Sequence, residues 1–390
     1  SLLDSAWGRI ADEAPDTAVT GGLTDEELAS LNKDGQVGVK GALNSDSLSS
    51  QTSAVVNNSN ITVVGDVEIH AAEKTEAAIH SGAAGIGGSL GVGGSIGVLD
   101  MASNVRAEIA GASSVTTEQG TISVKAETLD PAKQGSAIDV NSYQGSGGMA
   151  ALGAAVATAN VTNNVLAGIG KGSTLEVKSS TLAGEGLLVQ AHDYTAVNTT
   201  AYGASIGLAA AGVVSANGTR AGRVAAVVGD DASVNLASGG VRIEGLREGE
   251  TTAYSRASAG GGVSGNSSLA AAKETGQVEA LVGTGADITA SSGSVEVEAI
   301  FRPQAAADSG GYGGAIYGAI GLSLAQTVLD TEIRAAIGAG GAISADSLAV
   351  RALTQLTGSA PTARSYAEAA GIGGLVSANA AVSLAQSKLR

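Results

Sequence analysis

Three Gly-x-Ser-x-Gly pentapeptides, three histidines and a few paired acids are the places where this 390-residue sequence holds residue types capable of chemistry. The pentapeptides are Gly87-Gly88-Ser89-Leu90-Gly91, Gly93-Gly94-Ser95-Ile96-Gly97 and Gly203-Ala204-Ser205-Ile206-Gly207. A hydrolase nucleophile elbow needs a strand entering, a helix leaving, and a His and an acid brought alongside. None of that surrounds these copies, and in a chain with 58 glycines the pattern arises by composition. The histidines are His70, His80 and His192. Without a Cys or a His-x-x-x-His pair, three or four converging metal ligands do not assemble, so they read as solvated or loop-edge side chains. Asp230-Asp231 reads as a solvated pair in a turn. The run from Gly85 to Asp100 has the glycines of a calcium-binding roll but a single acid, where such rolls ring each ion with carboxylates. Glu296 and Glu298 share one strand face, as a polysaccharide-cleaving β-helix enzyme would require of its acids. Charged residues recur there in most copies of the same strand, so the pair reads as a solvated face. Six Asn-x-Ser/Thr sequons, at Asn57, Asn60, Asn160, Asn198, Asn217 and Asn266, match what an Asn/Ser/Thr-rich chain gives by chance. The expectation is no catalytic residue, no cofactor-binding residue, no metal ligand and no cofactor.

The elements that would carry these residues form a repeat. One marker is an alternating segment: Val67 to Ala71, Ile122 to Ala126, Leu187 to Ala191, Val241 to Gly245, Val295 to Ala299 and Leu348 to Ala352, with last residues spaced by 55, 65, 54, 54 and 53. A second lies between them: Val105 to Ile109, Val165 to Ile169, Val224 to Val228, Val278 to Val282 and Ile333 to Ile337, spaced by 60, 59, 54 and 55. Two markers keeping one period establish a repeat of about 55 residues. β-Branched residues recur at every second position of both, which predicts strands with one buried face. Alternation places Ala226 and Ala280 inward and Glu279 toward solvent. A Gly/Ala-rich run separates the markers, and a Gly-containing turn with a short strand follows each second marker.

Composition narrows the class. One Phe, one Trp, seven Tyr and two Met leave Ala, Val, Ile and Leu to build the interior, so an aromatic-anchored core is not expected. Twenty-one Lys and Arg against 37 Asp and Glu give a net charge of −16, which repels nucleic acid. The absence of Cys excludes a disulfide framework and suits export through an outer membrane. Gly82 to Leu99 is uncharged, but eight of its eighteen residues are Gly, a poor membrane helix. No transmembrane span is expected. Residues 1–34 differ from the rest: Thr24 and Glu27 make a capping box for a short helix to about Asn32, and the segment reads as a cap or linker. Residues 35–390 read as about six tandem units. The chain starts at Ser1 and a second Ser-Leu-Ala-Gln motif, Ser383 to Gln386, is cut off before its strand, so a fragment of a longer chain is expected.

Units joining a V-x-V-x-A strand, a Gly/Ala-rich run and an N-x-V-x-A-x-I-G strand resemble the stalk repeats of large bacterial filamentous adhesins, the haemagglutinin-like and leukotoxin-like surface exoproteins, over residues 55 to 390. The resemblance implies an all-β solenoid, a parallel β-helix-like rod of tandem repeats. It also implies secretion to the bacterial cell surface and a non-catalytic stalk that attaches to a host-cell or bacterial surface receptor. A self-assembling extracellular fibre or sheath, with copies associating end to end, is the alternative, and a polysaccharide-active enzyme a remote one.

Overall fold

The computed structural model describes residues 37–129, 137–180, 185–355 and 363–388. The helix expected between Thr24 and Asn32, and the cap or linker it belongs to, lie outside the described residues. The chain passes through β1 (Val37–Asn57), β2 (Asn60–Val63), β3 (Val67–Glu73), β4 (Glu76–Ile86), β5 (Leu90–Ala110), β6 (Ser114–Thr117), β7 (Ile122–Thr128), β8 (Ala137–Gly147), β9 (Ala150–Ile169) and β10 (Thr174–Val177). It continues through β11 (Glu185–Asp193), β12 (Ala196–Val228), β13 (Ser233–Leu236), β14 (Gly240–Val282), β15 (Asp287–Ala290), β16 (Ser294–Ile337), β17 (Ile343–Ser344), β18 (Ser347–Thr354), β19 (Ala363–Gly373) and β20 (Val376–Ser387). Every element is a strand. Among the described residues no helix is long and apolar enough to cross a membrane.

Both sets of sequence markers pair in parallel register. Val241 faces Val295 and Gly245 faces Ala299, while Ala226 faces Ala280 and Ala280 faces Ala335. Fourteen strands join one sheet and six short ones, β2, β6, β10, β13, β15 and β17, join another. The expected solenoid rod of discrete coils is not what forms. The large sheet curls until it is nearly closed, a parallel, barrel-like wrap built from very long strands: 33 residues in β12, 43 in β14 and 44 in β16. The Gly/Ala-rich runs between the markers lie inside the long strands and bend them. Small side chains let the backbone turn while its hydrogen bonds to the neighbouring layer persist. In β14 the bends fall at Gly249, Gly261 and Gly276, with φ of 137°, 151° and 121°. A Cβ on Gly261 would sit 1.4 Å from the Gly207 carbonyl oxygen, so no other residue fits there.

β14 doubles back on itself through these bends. The Oγ atoms of Ser255 and Ser268 meet at 2.6 Å, and Arg247 Nη1 donates to the Thr275 carbonyl at 2.8 Å. The interior has a wide half and a flat half. The wide half has three walls, made by the two sets of markers and the six-stranded sheet, and is filled by Val, Ile, Leu and Phe301. In the flat half, facing layers meet largely through Ala side chains, with larger residues such as Leu99, Met101, Ile138 and Leu329 among them, and through serine pairs such as Ser142–Ser95 and Ser146–Ser205, each at 2.9 Å. The bulk of an aromatic ring would hold these layers apart, and among the described residues the flat-half core cluster contains none.

Ala280 has 0% exposure, as alternation requires. Glu279 does not face open solvent as expected: it is 6% exposed, because Arg223 Nε donates to its carboxylate at 2.5 Å from the adjacent layer. Alternation assigns a side but not the cover that neighbouring layers supply. An outward position that is truly open is Asn235 on β13. Ala280→Leu is expected to overpack and cost about 1–3 kcal/mol. Asn235→Leu should stay within about 0.5 kcal/mol. Denaturant melts of the two variants check this, and equal losses would mean that the interior is looser than described.

Candidate functional site

The residues with catalytic potential in the sequence are mostly turned inward or tied to one another. Ser95 and Ser205 point into the flat interior; Ser205 Oγ donates to the Ala211 carbonyl at 3.0 Å and lies 2.9 Å from Ser146 Oγ. A nucleophile in that position has no route to a substrate. Glu298 pairs with Arg351, whose Nη2 also lies 3.8 Å from Glu296, so these two carboxylates serve as ion-pair partners across layers. Asp230 caps the next layer: its Oδ1 accepts from the Thr284 backbone N–H at 2.8 Å. Among the described residues no group of three or more His, Asp or Glu is gathered closely enough to hold a metal ion.

The histidines differ from their expected solvated state in one case. His80 and His70 lie on the outer surface, the latter 2.8 Å from Glu127. His192 is buried, with Nε2 2.6 Å from Glu244 Oε1 and Nδ1 2.7 Å from the Tyr194 hydroxyl. Burial disfavours ionisation of Glu244, but His192, Gln190 and Arg242 outweigh it and bring its pKa down to about 2.

A second ionic group was not anticipated. Where the wide and flat interiors join, Asp193, Arg220, Arg247 and Glu274 are all fully buried. Arg220 Nη2 donates to Asp193 Oδ2 at 3.0 Å and to the Glu248 carbonyl at 2.7 Å. Asp193 Oδ1 also accepts from Thr128, Asn163 and Thr195, at 3.0, 3.0 and 2.9 Å. Arg247 Nε lies 3.4 Å from Asp193 Oδ2, and Arg220 Nη1 lies 3.9 Å from Glu274 Oε1. The bends make room for the guanidinium groups. A Cβ on Gly249 would lie 2.7 Å from Arg220 Nη1 and one on Gly276 2.9 Å from Arg247 Nη1. Burial pushes Asp193 up, yet the two guanidiniums and its hydrogen bonds hold it below the usual carboxylate range. Glu274 receives less: Thr251 donates to one oxygen at 3.2 Å, and Oε2 has no hydrogen-bond partner among the described residues. Burial wins there and raises its pKa to about 7. Sealed from solvent, the four charges can take up or release a proton but cannot bind substrate.

The outer surface carries the arrangement best suited to contact. Five of the seven tyrosines, Tyr143, Tyr202, Tyr254, Tyr312 and Tyr366, lie on one outward face of β8, β12, β14, β16 and β19. Tyr143 and Tyr202 stack at 5.7 Å between centroids, and Tyr202 and Tyr254 lie at 5.4 Å. Arg256 covers the Tyr254 ring at 4.2 Å and donates to Asp308 at 2.8 Å. The hydroxyls of Tyr312 and Tyr366 both donate to Glu368 at 3.2 Å. Burial and Tyr254 raise the pKa of Tyr202, so its hydroxyl stays protonated at neutral pH. Arg256 and Asp308 pair with each other and Glu368 is held by two tyrosine hydroxyls, which leaves aromatic edges for a partner. The aromatic residues read as spread along the sequence, but the spacings 59, 52, 58 and 54 between these tyrosines follow the repeat and were the available signal.

Glu244 and Glu274, shifted in opposite directions, predict a stability optimum. Glu244, lowered in the fold, contributes stability above about pH 4.5 that is lost as pH falls toward 2. Glu274, raised in the fold, has the opposite sign: folding is favoured below about pH 4.5, and that contribution, on the order of 3 kcal/mol, is lost as pH rises to about 7. Thermal melts between pH 3 and 8 should show Glu274→Gln flattening the upper limb and Glu244→Gln the lower one. An upper limb unchanged in Glu274→Gln would mean that this carboxyl is ionised in the fold throughout.

No family model, curated protein or solved structure matches this chain, so its functional reading rests on the geometry of the tyrosine patch and the buried charges.

Proposed function

We propose that this chain is a non-catalytic structural and adhesive segment of a secreted bacterial surface protein, and that it attaches to a receptor on host or bacterial cells through its outer sheet face. The observation that carries the reading is the division of labour between the two sides of the strands. Serines and several acids that chemistry would need are turned inward or spent on ion pairs between layers, whereas five tyrosines are held side by side on an outward face. Tyrosine presents a large contact area at low entropic cost and keeps a polar tip, which suits recognition more than catalysis. The net charge of −16 adds solubility and disfavours polyanionic partners such as nucleic acid. The resemblance of the repeat to filamentous adhesin stalks supports the extracellular placement.

Beads coated with the chain should adhere to cells bearing the receptor, and a Tyr143→Ser, Tyr202→Ser double variant should reduce adherence at least fivefold while its thermal melt stays close to that of the parent. Adherence equal in the variant would remove the tyrosine face from the proposal. Failure of the parent chain to adhere to any bacterial or host cell type tested would overturn the adhesive reading.

A further inference from the structure

The flat half of the molecule has a second outer face, opposite the tyrosines, and it carries no charged residue over several rows. On the six adjacent strands β5, β9, β12, β14, β16 and β20, outward residues line up in rows through the parallel register. One row is Val92, Leu152, Ala211, Gly265, Ile320 and Ala378. The row beside it is centred on Val213, which is 56% exposed and faces Ala154 and Ser267 on its two sides. From the row of Leu90 to the row of Ile96 there are four such rows, and none of their residues on these strands is charged. Ile320 and Leu324 are 52% and 40% exposed within it.

Six strands at ~4.8 Å and four rows ~6.7 Å apart give this face an area of roughly 700 Å². The largest apolar patch on an ordinary monomer is about 300–600 Å². One side of a stable protein interface needs about 800 Å². The face is therefore larger than solubility alone would tolerate and close to what a dimer buries. Its edge toward the wide half is polar, with Asn160 donating to Asp100 at 2.8 Å and Lys273 nearby in the same outward row. An apolar centre with a polar rim is the anatomy of a protein interface.

We propose that this face is covered by the same face of a second copy, two sheets packing back to back about a two-fold axis that passes beside Val213. The occupant follows from shape and charge. A flat sheet of alternating small and branched residues fits another such sheet, as the two layers inside the flat half already do with comparable residues. An anionic lipid surface is disfavoured by the net charge of −16 and by the lack of a basic rim. Val213 lies next to the geometric centre of the six strands and four rows, so under two-fold symmetry it meets its own counterpart.

The chain contains no Cys, so a single one can be introduced without competition. Val213→Cys should be joined to a covalent dimer by a short bis-maleimide, and Ser258→Cys, exposed on the tyrosine side, should not. In sedimentation velocity the parent chain should run as a concentration-dependent dimer. A Val213→Lys, Leu322→Lys variant, both positions outward and at the surface, should dissociate at least tenfold more readily with an unchanged circular dichroism spectrum. A parent chain that stays monomeric, a dimer untouched by the two lysines, or cross-linking at Ser258→Cys and not at Val213→Cys would each overturn the proposal. So would flotation of the monomeric parent with neutral phosphatidylcholine vesicles that the lysine variant loses, which would assign the face to lipid. None of these readouts depends on adhesion to cells, so the outcome stands apart from that of the proposed function.

Discussion

Parallel backbone hydrogen bonding between residues 53 to 65 apart governs everything else in this molecule. Arg242 bonds beside Glu296 and Val213 beside Ser267 because the chain returns to the same place one layer on. A strand that bends must keep those bonds through the bend, or buried amide groups are left unpaired at a cost of about 1–3 kcal/mol each. Glycine at Gly249, Gly261 and Gly276 meets that demand, since their φ values of 121° to 151° are closed to other residues. The long strands are thus a consequence of where glycines sit. Most of their inward side chains in the flat half are Ala, because the bend returns the strand close above itself.

The buried charges sit at the one level where the interior changes width. There long arginine side chains reach between layers, Arg220 to Asp193 and Glu248 and Arg247 to Thr275 and Ala221. Removing either acid would strand a guanidinium in a dry interior, which costs several kcal/mol. The set is therefore kept or lost as a unit. Asp193 offsets one guanidinium and Glu274, raised to about 7, offsets the other only in part at neutral pH, while the backbone carbonyls accepting from Arg220 and Arg247 tie successive layers together. A slip of one layer by a single residue would turn these charges outward and Val or Ala out of the core with them, so the cluster also fixes register.

How much of this was legible depends on whether a signal repeats or converges. The markers around Val241 and Val278 repeat with period two inside a longer period, so their strands, their inward faces and their parallel pairing could be read directly. The same parity, carried forward from Ile243 to Arg247 and from Ala216 to Arg220, places both arginines inside, but they fall beyond the marker segments and do not recur from layer to layer. The tyrosine patch keeps the repeat period as well, yet Tyr254 and Tyr312 are displaced by two positions along their strands relative to Tyr202, which blurs the pattern. The rod was a different failure. Repeats of equal length say that layers stack; they do not say where the chain bends within a layer, and glycine-rich runs are equally compatible with a break and a continuous bent strand. The curled, barrel-like sheet comes from the second choice.

The distribution of charge across the surface follows from the same geometry. Around the wide half, layers carry bulky inward residues and their outward positions are filled by Arg, Glu, His and Lys in pairs that bridge adjacent layers, as in Lys178 with Glu118 at 2.7 Å. Exposed pairs of this kind contribute less than about 1 kcal/mol apiece, and where like charges of successive layers do stack, as Glu244 on Glu298, arginines beside them offset the repulsion. Around the flat half such bracing is sparse, as in Arg256 with Asp308 at 2.8 Å. One face gathers tyrosines and the other is apolar, so the cost of exposing them is borne by the region of the molecule that has least interior to offset it. A chain under no demand beyond solubility would carry charge there too. The wide half supplies stability, which leaves the thin half free to present surfaces.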